Sequence, residues 1–186
     1  MTGAVLLAED ARFYQHWGID LQAIMKSIRS NVAAGRYVHG GSTITQQVVK
    51  LAFLSPQKSL FRKAREILGA LWLEMILDKK AILSWYLNLA YFGPGVHGIA
   101  QAAQSYFETS PELLGVSESI HLTLLLPSPT RRGQRLRSRA LGVEDQRRFR
   151  VLLDRMRGEE MISHQQWQQA LRIGNLGEPL LKDGEG

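Results

Sequence analysis

The segment GGSTITQQVVK, residues 40–50, decides how the rest of this sequence is interpreted. It holds two glycines, three hydroxyl side chains and two glutamines before it turns apolar and ends on Lys50. Thr43 followed three residues later by Gln46 has the pattern of a capping box, which predicts a helix over residues 43–53 that starts beside the glycine pair. Free N–H groups and the positive dipole end of such a helix attract anions, and Lys50 lies about two turns further on. The alternative is an ordinary glycine turn followed by a helix cap.

Length and composition favour one globular domain. The chain has 186 residues, of which 45% are hydrophobic and 22% are charged, enough for a hydrophobic core. We assign residues 1–175 to this domain and residues 176–186, rich in glycine and charge, to a disordered tail. The absence of cysteine excludes disulfides, thiolate metal sites and cysteine nucleophiles. The net charge of +6 favours an anionic partner, and the sequence lacks an apolar run of the roughly 18 residues that span a bilayer.

The apolar periodicity is helical along nearly the whole chain. Leu21, Ile24, Met25 and Ile28 recur at helical spacing, and Asp20 is placed to cap that helix. Further helices are predicted over residues 59–78, 79–91, 117–126, 138–157 and 163–172, the last with Ser163 and Gln166 as a capping box. No alternating strand pattern is present, so the predicted fold class is all-α, or mainly α.

A carboxylate-rich cluster precedes the first predicted cap. Glu9 follows the apolar run Ala4–Ala8, and a carboxylate against apolar surface has a raised pKa and can act as a general base or acid. The alternative is that Glu9 and Asp10 are an ordinary acidic pair at the end of a helix. His16 alone is typical of a hydrogen-bonded structural histidine.

Basic residues are concentrated at the start of the predicted helix over residues 59–78. Lys58, Arg62 and Arg65 recur at helical spacing, and Lys63 adds a further cation. Such a face suits a phosphate-bearing ligand, whereas Arg62 and Glu66, one turn apart, could simply form an ion pair.

Two other patterns are less specific. Gly93, Gly95 and Gly98 match the dinucleotide-binding fingerprint, but without a preceding strand they indicate a tight junction between helices, with Asn88 and Gln101 as polar supports. The basic run over residues 131–137 has no interleaved aromatic residues to stack on bases. It indicates a solvated loop or a surface that faces anionic lipid headgroups, and not a nucleic-acid site. The spacing of the histidines does not favour zinc.

Taken in order, these clusters resemble the motifs of the peptidoglycan glycosyltransferases of glycosyltransferase family 51. The family includes monofunctional transglycosylases and the glycosyltransferase domain of class A penicillin-binding proteins. The first motif, E-D-x-x-F-x-x-H-x-G-x-D, matches Glu9, Asp10, Phe13, His16, Gly18 and Asp20. The second, G-G-S-T-I-T-Q-Q, is residues 40–47, and the third, R-K-x-x-E, is Arg62, Lys63 and Glu66. The fourth falls on Leu87–Phe107 and the fifth on Glu118 and Pro127. The sequence departs from the family pattern at Leu51, Glu108, His121 and Thr123.

This resemblance implies a lysozyme-like helical lobe with a smaller membrane-facing lobe, partly formed by residues 21–55. It also implies that the enzyme polymerises lipid II into β-1,4 glycan with release of undecaprenyl diphosphate. Glu9 would be the general base, and Glu66 would orient a cation or a divalent metal ion near the leaving group. Residues expected to bind or support the substrate are Asp10, Phe13, Ser42, Thr43, Gln46, Gln47, Lys50, Lys58, Arg62, Lys63, Arg65 and Asn88.

The remaining expectations also come from the resemblance. No cofactor is obligatory, and Mg²⁺ or Mn²⁺ near Glu66 is an optional one. The expected partners are lipid II, the lipid-linked glycan strand, the bacterial membrane surface and, as a further option, proteins of cell-wall synthesis or division. The expected location is the outer, periplasmic face of the cytoplasmic membrane, with the membrane anchor typical of the family absent from this chain. The alternative function is a lysozyme-like lytic transglycosylase that acts on peptidoglycan.

Overall fold

The computed structural model describes residues 1–36, 40–55, 57, 59–138 and 140–174. These residues form a mainly α structure, which confirms the predicted fold class. The helices are α1 (Thr2–Glu9), α2 (Leu21–Ala34), α3 (Ile44–Phe53), α4 (Leu60–Ile76), α5 (Lys79–Leu89), α6 (Gly98–Phe107), α7 (Val116–Leu125), α8 (Pro129–Arg137), α9 (Val143–Gly158) and α10 (His164–Gly174). In this part of the chain, no helix combines the length and apolar character needed to cross a membrane. The predicted tail over residues 176–186 lies outside the described residues.

Side-chain caps start several helices at the residues that the sequence indicates. The Asp20 carboxylate accepts a hydrogen bond from the Ala23 N–H at the start of α2. Thr43 and Gln46 form the predicted capping box at the start of α3. Ser163 and Gln166 form a second box ahead of α10. Each of these caps satisfies N–H groups that have no partner inside the helix, for about 1 kcal/mol apiece.

Two local predictions were wrong. The glycine-rich junction after α5 contains a short antiparallel hairpin, β1 (Tyr91–Gly93) and β2 (Val96–His97), where the sequence predicted a tight turn between two helices and no strand. The basic run over residues 131–137 belongs to helix α8 and is not a loop. Proline at the first position of a helix is favourable because its missing N–H would be unpaired there, so Pro129 starts α8 and does not interrupt it.

The chain divides into two compact units, Ala8–Ala90 and Met1–Leu7 with Tyr91–Gly186, called here the 8–90 unit and the 91–186 unit. In the 8–90 unit, α3 packs against α4 and α5, and the core contains Ile44, Val48, Leu73, Ile82 and Tyr86. The division does not test the smaller lobe assigned to residues 21–55, which stays a prediction.

The loop that precedes α2 depends on a glycine. Gly18 has a φ of +75°, and a Cβ at this position would lie 3.0 Å from the backbone carbonyl of Ala70. A larger residue would therefore be strained and would also collide with α4. This close approach holds the loop against α4 and brings the Gly18 carbonyl within reach of Thr43.

In the 91–186 unit, a histidine is buried within the apolar core. His121 lies on α7, where its ring stacks on Phe149 of α9 with the centroids 4.7 Å apart. The ring hydrogen-bonds to the backbone of Gly174, whereas its Nε2 atom has no partner among the described residues. Burial lowers the pKa of His121 from 6.5 to about 4, and the Gly174 hydrogen bond and the Asp145 charge offset only part of that effect.

We expect this histidine to make the fold acid-sensitive. Because the pKa is lower in the folded protein, the unfolded chain binds the extra proton first as the pH falls. The contribution of neutral His121 is present above pH 6.5 and is lost as the pH falls towards 4. The expected loss is about 3 kcal/mol of unfolding free energy between pH 7 and pH 4.

Denaturant unfolding at several pH values measures this effect. His121→Leu should flatten the pH dependence between 6.5 and 4, whereas His164→Gln, at an exposed histidine, should leave it unchanged. Equal pH dependence in the wild type and His121→Leu would contradict the assignment.

Candidate active site

The N-terminus of α3 is occupied by groups from the protein itself. The Ile44 N–H donates to the Asp10 carboxylate at 3.0 Å, and the Gln46 N–H donates to the Thr43 hydroxyl at 3.2 Å. The Thr43 N–H donates in turn to the Gln46 side-chain oxygen. The prediction that these N–H groups are free to bind an external anion was therefore wrong. The anion that neutralises this helix end is Asp10.

Asp10 connects three parts of the 8–90 unit. Besides the Ile44 N–H, it accepts hydrogen bonds from the His16 Nε2–H at 3.0 and 3.1 Å, so His16 is the structural histidine that the sequence indicated. Thr43 adds a second connection, since its hydroxyl donates to the Gly18 carbonyl at 2.7 Å. The loop over residues 10–18 is thus tied to the first turn of α3 by buried hydrogen bonds.

Glu9 is the last residue of α1 and has a different environment. Its carboxylate accepts one hydrogen bond from the Gln47 amide at 2.9 Å. Burial raises its pKa, an effect that the Gln47 hydrogen bond and the Lys50 charge oppose and that the neighbouring Asp10 charge increases. A partly buried carboxylate with a raised pKa is suited to accept a proton from a substrate.

Glu66 is buried on α4 and pairs with two cations. Lys63 Nζ lies 2.5 Å from one carboxylate oxygen, and Arg62 donates to the other at 2.9 Å. Lys63 also donates to the Ser42 hydroxyl at 2.9 Å and to the Gln46 oxygen at 3.4 Å. The Arg62–Glu66 pair considered from the sequence is therefore formed, and the surrounding group remains net positive. The Arg62 Nε–H is buried and has no acceptor in the described part of the chain.

Consecutive residues of α3 join the two glutamate sites. Gln46 contacts Lys63, the partner of Glu66, and Gln47 contacts Glu9. One helical turn therefore holds a carboxylate of raised pKa on one side and a cationic cluster on the other. Transfer of a group from a phosphorylated donor to a hydroxyl requires two elements. One is an acceptor for the hydroxyl proton, and the other is a site that stabilises the anionic charge of the leaving group.

Several residues expected to contact substrate are buried in this structure and instead support the exposed ones. Their exposed fractions are 7% for Asp10, 1% for Phe13, 2% for Thr43 and 1% for Gln46. Phe13 packs under Lys79, whose Nζ atom lies 4.5 Å from the centre of its ring. In this structure the polar atoms of Asp10, Thr43 and Gln46 are used within the protein and Phe13 lies in the core, so a supporting role fits these four side chains; their role towards substrate stays a prediction.

The other predicted contacts have different surroundings. Those that are at least partly exposed are Ser42, Gln47, Lys50, Arg62, Lys63, Arg65 and Asn88. Asn88 donates only within its own helix, to the Ser84 carbonyl at 3.0 Å and weakly to the Ser84 hydroxyl at 3.5 Å. Lys58 lies outside the described residues. Glu118 belongs to the first turn of α7 in the 91–186 unit.

Sequence reasoning missed a second buried ion pair and a tyrosine. Glu74 accepts from the Thr45 hydroxyl at 2.5 Å and pairs with Lys79 at 2.7 Å. Tyr86 on α5 donates to Gln47 at 3.4 Å. Helical spacing does not predict these contacts because they join different helices, although a glutamate on a mainly apolar helix face was a usable signal for Glu74.

A divalent metal at Glu66 does not fit this arrangement, since both carboxylate oxygens already pair with cations. Asp10, His16 and Asp20 have potential ligand atoms within 4.8 Å of one another. However, Asp10 accepts from His16 and Ile44, and Asp20 accepts from Ala23 and pairs with Arg12. These three residues are better explained as a hydrogen-bonded support, and the metal prediction at Glu66 stays untested.

Substitution of Asp10 tests whether this carboxylate holds the site together. In Asp10→Asn one acceptor oxygen becomes an NH₂ donor and the negative charge at the N-terminus of α3 is lost, so the hydrogen bonds from the Ile44 N–H and the His16 Nε2–H are weakened. We expect a loss of about 1–3 kcal/mol of unfolding free energy. Asp78→Asn makes the same change at the exposed cap of α5 and should cost little, because Asn and Asp are equally good caps. Equal denaturation midpoints for the two variants would refute the role of Asp10.

Sequence similarity to known proteins extends over most of this chain. A family model described as Transglycosylase matches residues 1–157. The chain is similar to the biosynthetic peptidoglycan transglycosylase of Dechloromonas aromatica, with 40% identity over 153 residues, which is 82% of this chain and 64% of that protein. Its similarity to the protein of the same name from Alcanivorax borkumensis is 44% over 126 residues, 68% of this chain and 51% of that protein.

A longer match covers only a small part of a larger protein. Penicillin-binding protein 1A of Neisseria cinerea is 38% identical over 171 residues, which is 92% of this chain and 21% of that protein. The chain spans about half to just under two thirds of the length of the biosynthetic transglycosylases that it matches. Since the family model covers most of the sequence, including all the residues of the site described above, this chain belongs to the transglycosylase family.

Proposed function

We propose that this chain is a peptidoglycan glycosyltransferase that polymerises lipid II into β-1,4 glycan strands with release of undecaprenyl diphosphate. The observation that carries the proposal is the arrangement around α3, where Gln47 holds a carboxylate of raised pKa and Gln46 contacts a cationic cluster. The names of the biosynthetic transglycosylases that the chain resembles support the same reaction class.

In the proposed reaction Glu9 is the general base. Its carboxylate takes the proton of the 4-hydroxyl of the GlcNAc of lipid II, and the hydroxyl oxygen forms a bond to C1 of the lipid-linked MurNAc of the growing strand. The bond between C1 and the diphosphate oxygen breaks, and undecaprenyl diphosphate leaves with the electron pair. Attack opposite to the leaving group inverts the configuration at C1 and gives the β linkage.

The cationic cluster would stabilise the charge that develops on the diphosphate. All three N–H donors of Lys63 already have protein acceptors. Lys63 would therefore stabilise the diphosphate mainly through its positive charge and not through an additional hydrogen bond. The buried Arg62 Nε–H has no acceptor among the described residues, and Arg65 and Lys50 are exposed cations of the same unit. Glu66 holds Lys63 and Arg62 in place and acts on the diphosphate through them.

Turnover of lipid II by the purified chain tests this function. Long glycan should form from lipid II without a nucleotide or nucleotide sugar, and preformed glycan strands should stay intact. Glu9→Gln keeps the shape of the side chain but cannot accept the proton, so turnover should fall by about 10²–10⁴-fold while lipid II binding persists. Release of muropeptides from preformed strands would favour the alternative lytic activity.

Two further variants separate the roles of the glutamates. Glu66→Gln removes the negative charge that holds Lys63 and Arg62 in place. Because the two cations are then less well positioned for the diphosphate, this variant should weaken lipid II binding more than Glu9→Gln does and should reduce turnover less. Glu144→Gln, at an exposed ion pair of α9, should change neither quantity. Near wild-type turnover in Glu9→Gln with an inactive Glu66→Gln would show that the two roles are reversed.

The proposed substrate is a lipid, and helix α2 has a suitable surface for a membrane. Leu21, Met25, Ile28 and Val32 recur along one face of α2, and all four are exposed. The charged residues of this helix are Lys26 and Arg29, with no acidic residue. An exposed apolar stripe with basic flanks is typical of helices that lie in the interface of an anionic bilayer. We therefore propose that α2 lies against the lipid, and we propose the outer face of the cytoplasmic membrane as the location because lipid II polymerisation would take place there.

Vesicle sedimentation tests this orientation. The double variant Met25→Glu/Ile28→Glu should bind vesicles containing phosphatidylglycerol at least about tenfold more weakly, because two apolar side chains no longer enter the bilayer. Val143→Glu/Val151→Glu introduces the same charges at exposed apolar positions of α9 and should bind as the wild type does. Binding should also weaken in 1 M salt, where the Debye length is about 3 Å. Unchanged binding of the α2 variant would exclude this helix as the membrane surface.

A further inference from the structure

A tyrosine outside the motifs discussed above completes a chain of hydrogen bonds to Glu9. Tyr86 lies on α5 and is 1% exposed, so its side chain is almost completely removed from bulk water. The hydroxyl donates to the side-chain oxygen of Gln47 at 3.4 Å, and the Gln47 NH₂ group donates to the Glu9 carboxylate at 2.9 Å. The chain runs from α5 through α3 to the end of α1.

The chemistry of the two ends determines the orientation of the amide between them. An ionised carboxylate only accepts hydrogen bonds, so it requires the NH₂ group of Gln47. Burial and the charge of Glu9 raise the pKa of Tyr86 far above its usual range, so its hydroxyl remains protonated and can donate to the Gln47 oxygen. A flipped Gln47 would face its oxygen towards Glu9, which is favourable only when Glu9 is protonated.

We propose that Tyr86 is a positioning residue for the reaction: its hydroxyl orients the Gln47 amide so that the NH₂ group stabilises Glu9 as the carboxylate that accepts the substrate proton. This inference rests on the proposed function of Glu9 as the base. Tyr86 has no contact with substrate in this account and acts only through Gln47. It offsets part of the effect of burial, which by itself favours the protonated, inactive form of Glu9.

Removal of the hydroxyl should make the enzyme more sensitive to acid. In Tyr86→Phe the Gln47 oxygen loses its donor, so the flipped amide, which stabilises protonated Glu9, becomes accessible. The acidic limb of the pH–rate profile should move to higher pH. Turnover on that limb should fall roughly 2- to 10-fold, the range expected for one neutral hydrogen bond, and should approach the wild-type value at alkaline pH. Tyr14→Phe, at an exposed tyrosine of the same unit, should leave the profile unchanged.

A double-mutant cycle tests whether Tyr86 acts through Gln47. Gln47→Met removes the amide and should shift the acidic limb in the same direction and further. Tyr86→Phe should then add no further shift in the Gln47→Met background. If the two effects add, or if Tyr86→Phe lowers turnover equally at all pH values, the hydroxyl has only a structural role and the proposal is wrong.

Titration of the Glu9 carboxyl carbon by ¹³C NMR in the substrate-free protein gives a readout independent of activity. Tyr86→Phe should shift this titration to higher pH even if another residue proves to be the base, and an unchanged titration would overturn the inference. Failure of the proposed function has a different signature, since Glu9→Gln would then retain turnover whatever the Tyr86 result. Thermal denaturation of each variant confirms that it is folded at the pH of measurement.

Discussion

The bond between the Asp10 carboxylate and the first turn of α3 is the constraint on which the site depends. A carboxylate at a helix N-terminus gains both a hydrogen bond and a favourable interaction with the helix dipole. Asp10 is adjacent in sequence to Glu9, so fixing Asp10 to Ile44 also fixes where α1 ends. The same helix turn presents Gln46 and Gln47 to the cationic cluster and to Glu9. Loss of this one contact would therefore disturb both glutamate sites.

The two glutamates proposed to act in the reaction, Glu9 and Glu66, have opposite environments. Glu66 is buried with two cations against its oxygens, so its negative charge is neutralised by pairing. Glu9 is partly buried with an amide as its direct partner, and its pKa is raised. A carboxylate paired with two cations can hold those cations in place, whereas one with a raised pKa has the affinity for protons that a base needs. Their environments, more than their residue type, separate the two roles.

Local features of this structure were predictable from sequence and long-range ones were not. The caps at Asp20 and Thr43 were predicted correctly because the acceptor and the N–H that it binds are three residues apart. Asp10 and Ile44 are 34 residues apart, and their contact depends on how the loop after α1 packs on α3. Sequence reasoning therefore treated that helix end as free, although the carboxylate that fills it was already visible as a candidate residue. The family resemblance identified Glu9 and Glu66 but carried no information about what neutralises each of them.

Composition was misleading where a helix-starting signal was overlooked. A solvated loop was one of the two interpretations of the basic run over residues 131–137, yet Pro129 begins a helix there and Arg132 donates to the Leu124 carbonyl at 2.6 Å. The hairpin at β1 and β2 was missed because strands of three and two residues are too short to show alternation.

The adjacency of Gln46 and Gln47 has a geometric consequence for the evolution of this site. Successive residues of an α-helix differ by about 100° in direction and 1.5 Å in height, so the directions in which Gln46 and Gln47 extend towards the cationic cluster and towards Glu9 are set by backbone geometry. A side-chain change at Gln47 can alter the contact with Glu9 without moving the cationic cluster. Insertion or deletion of a single residue in this turn would instead rotate the partners away from both groups at once. The segment should therefore tolerate substitutions more readily than changes in length.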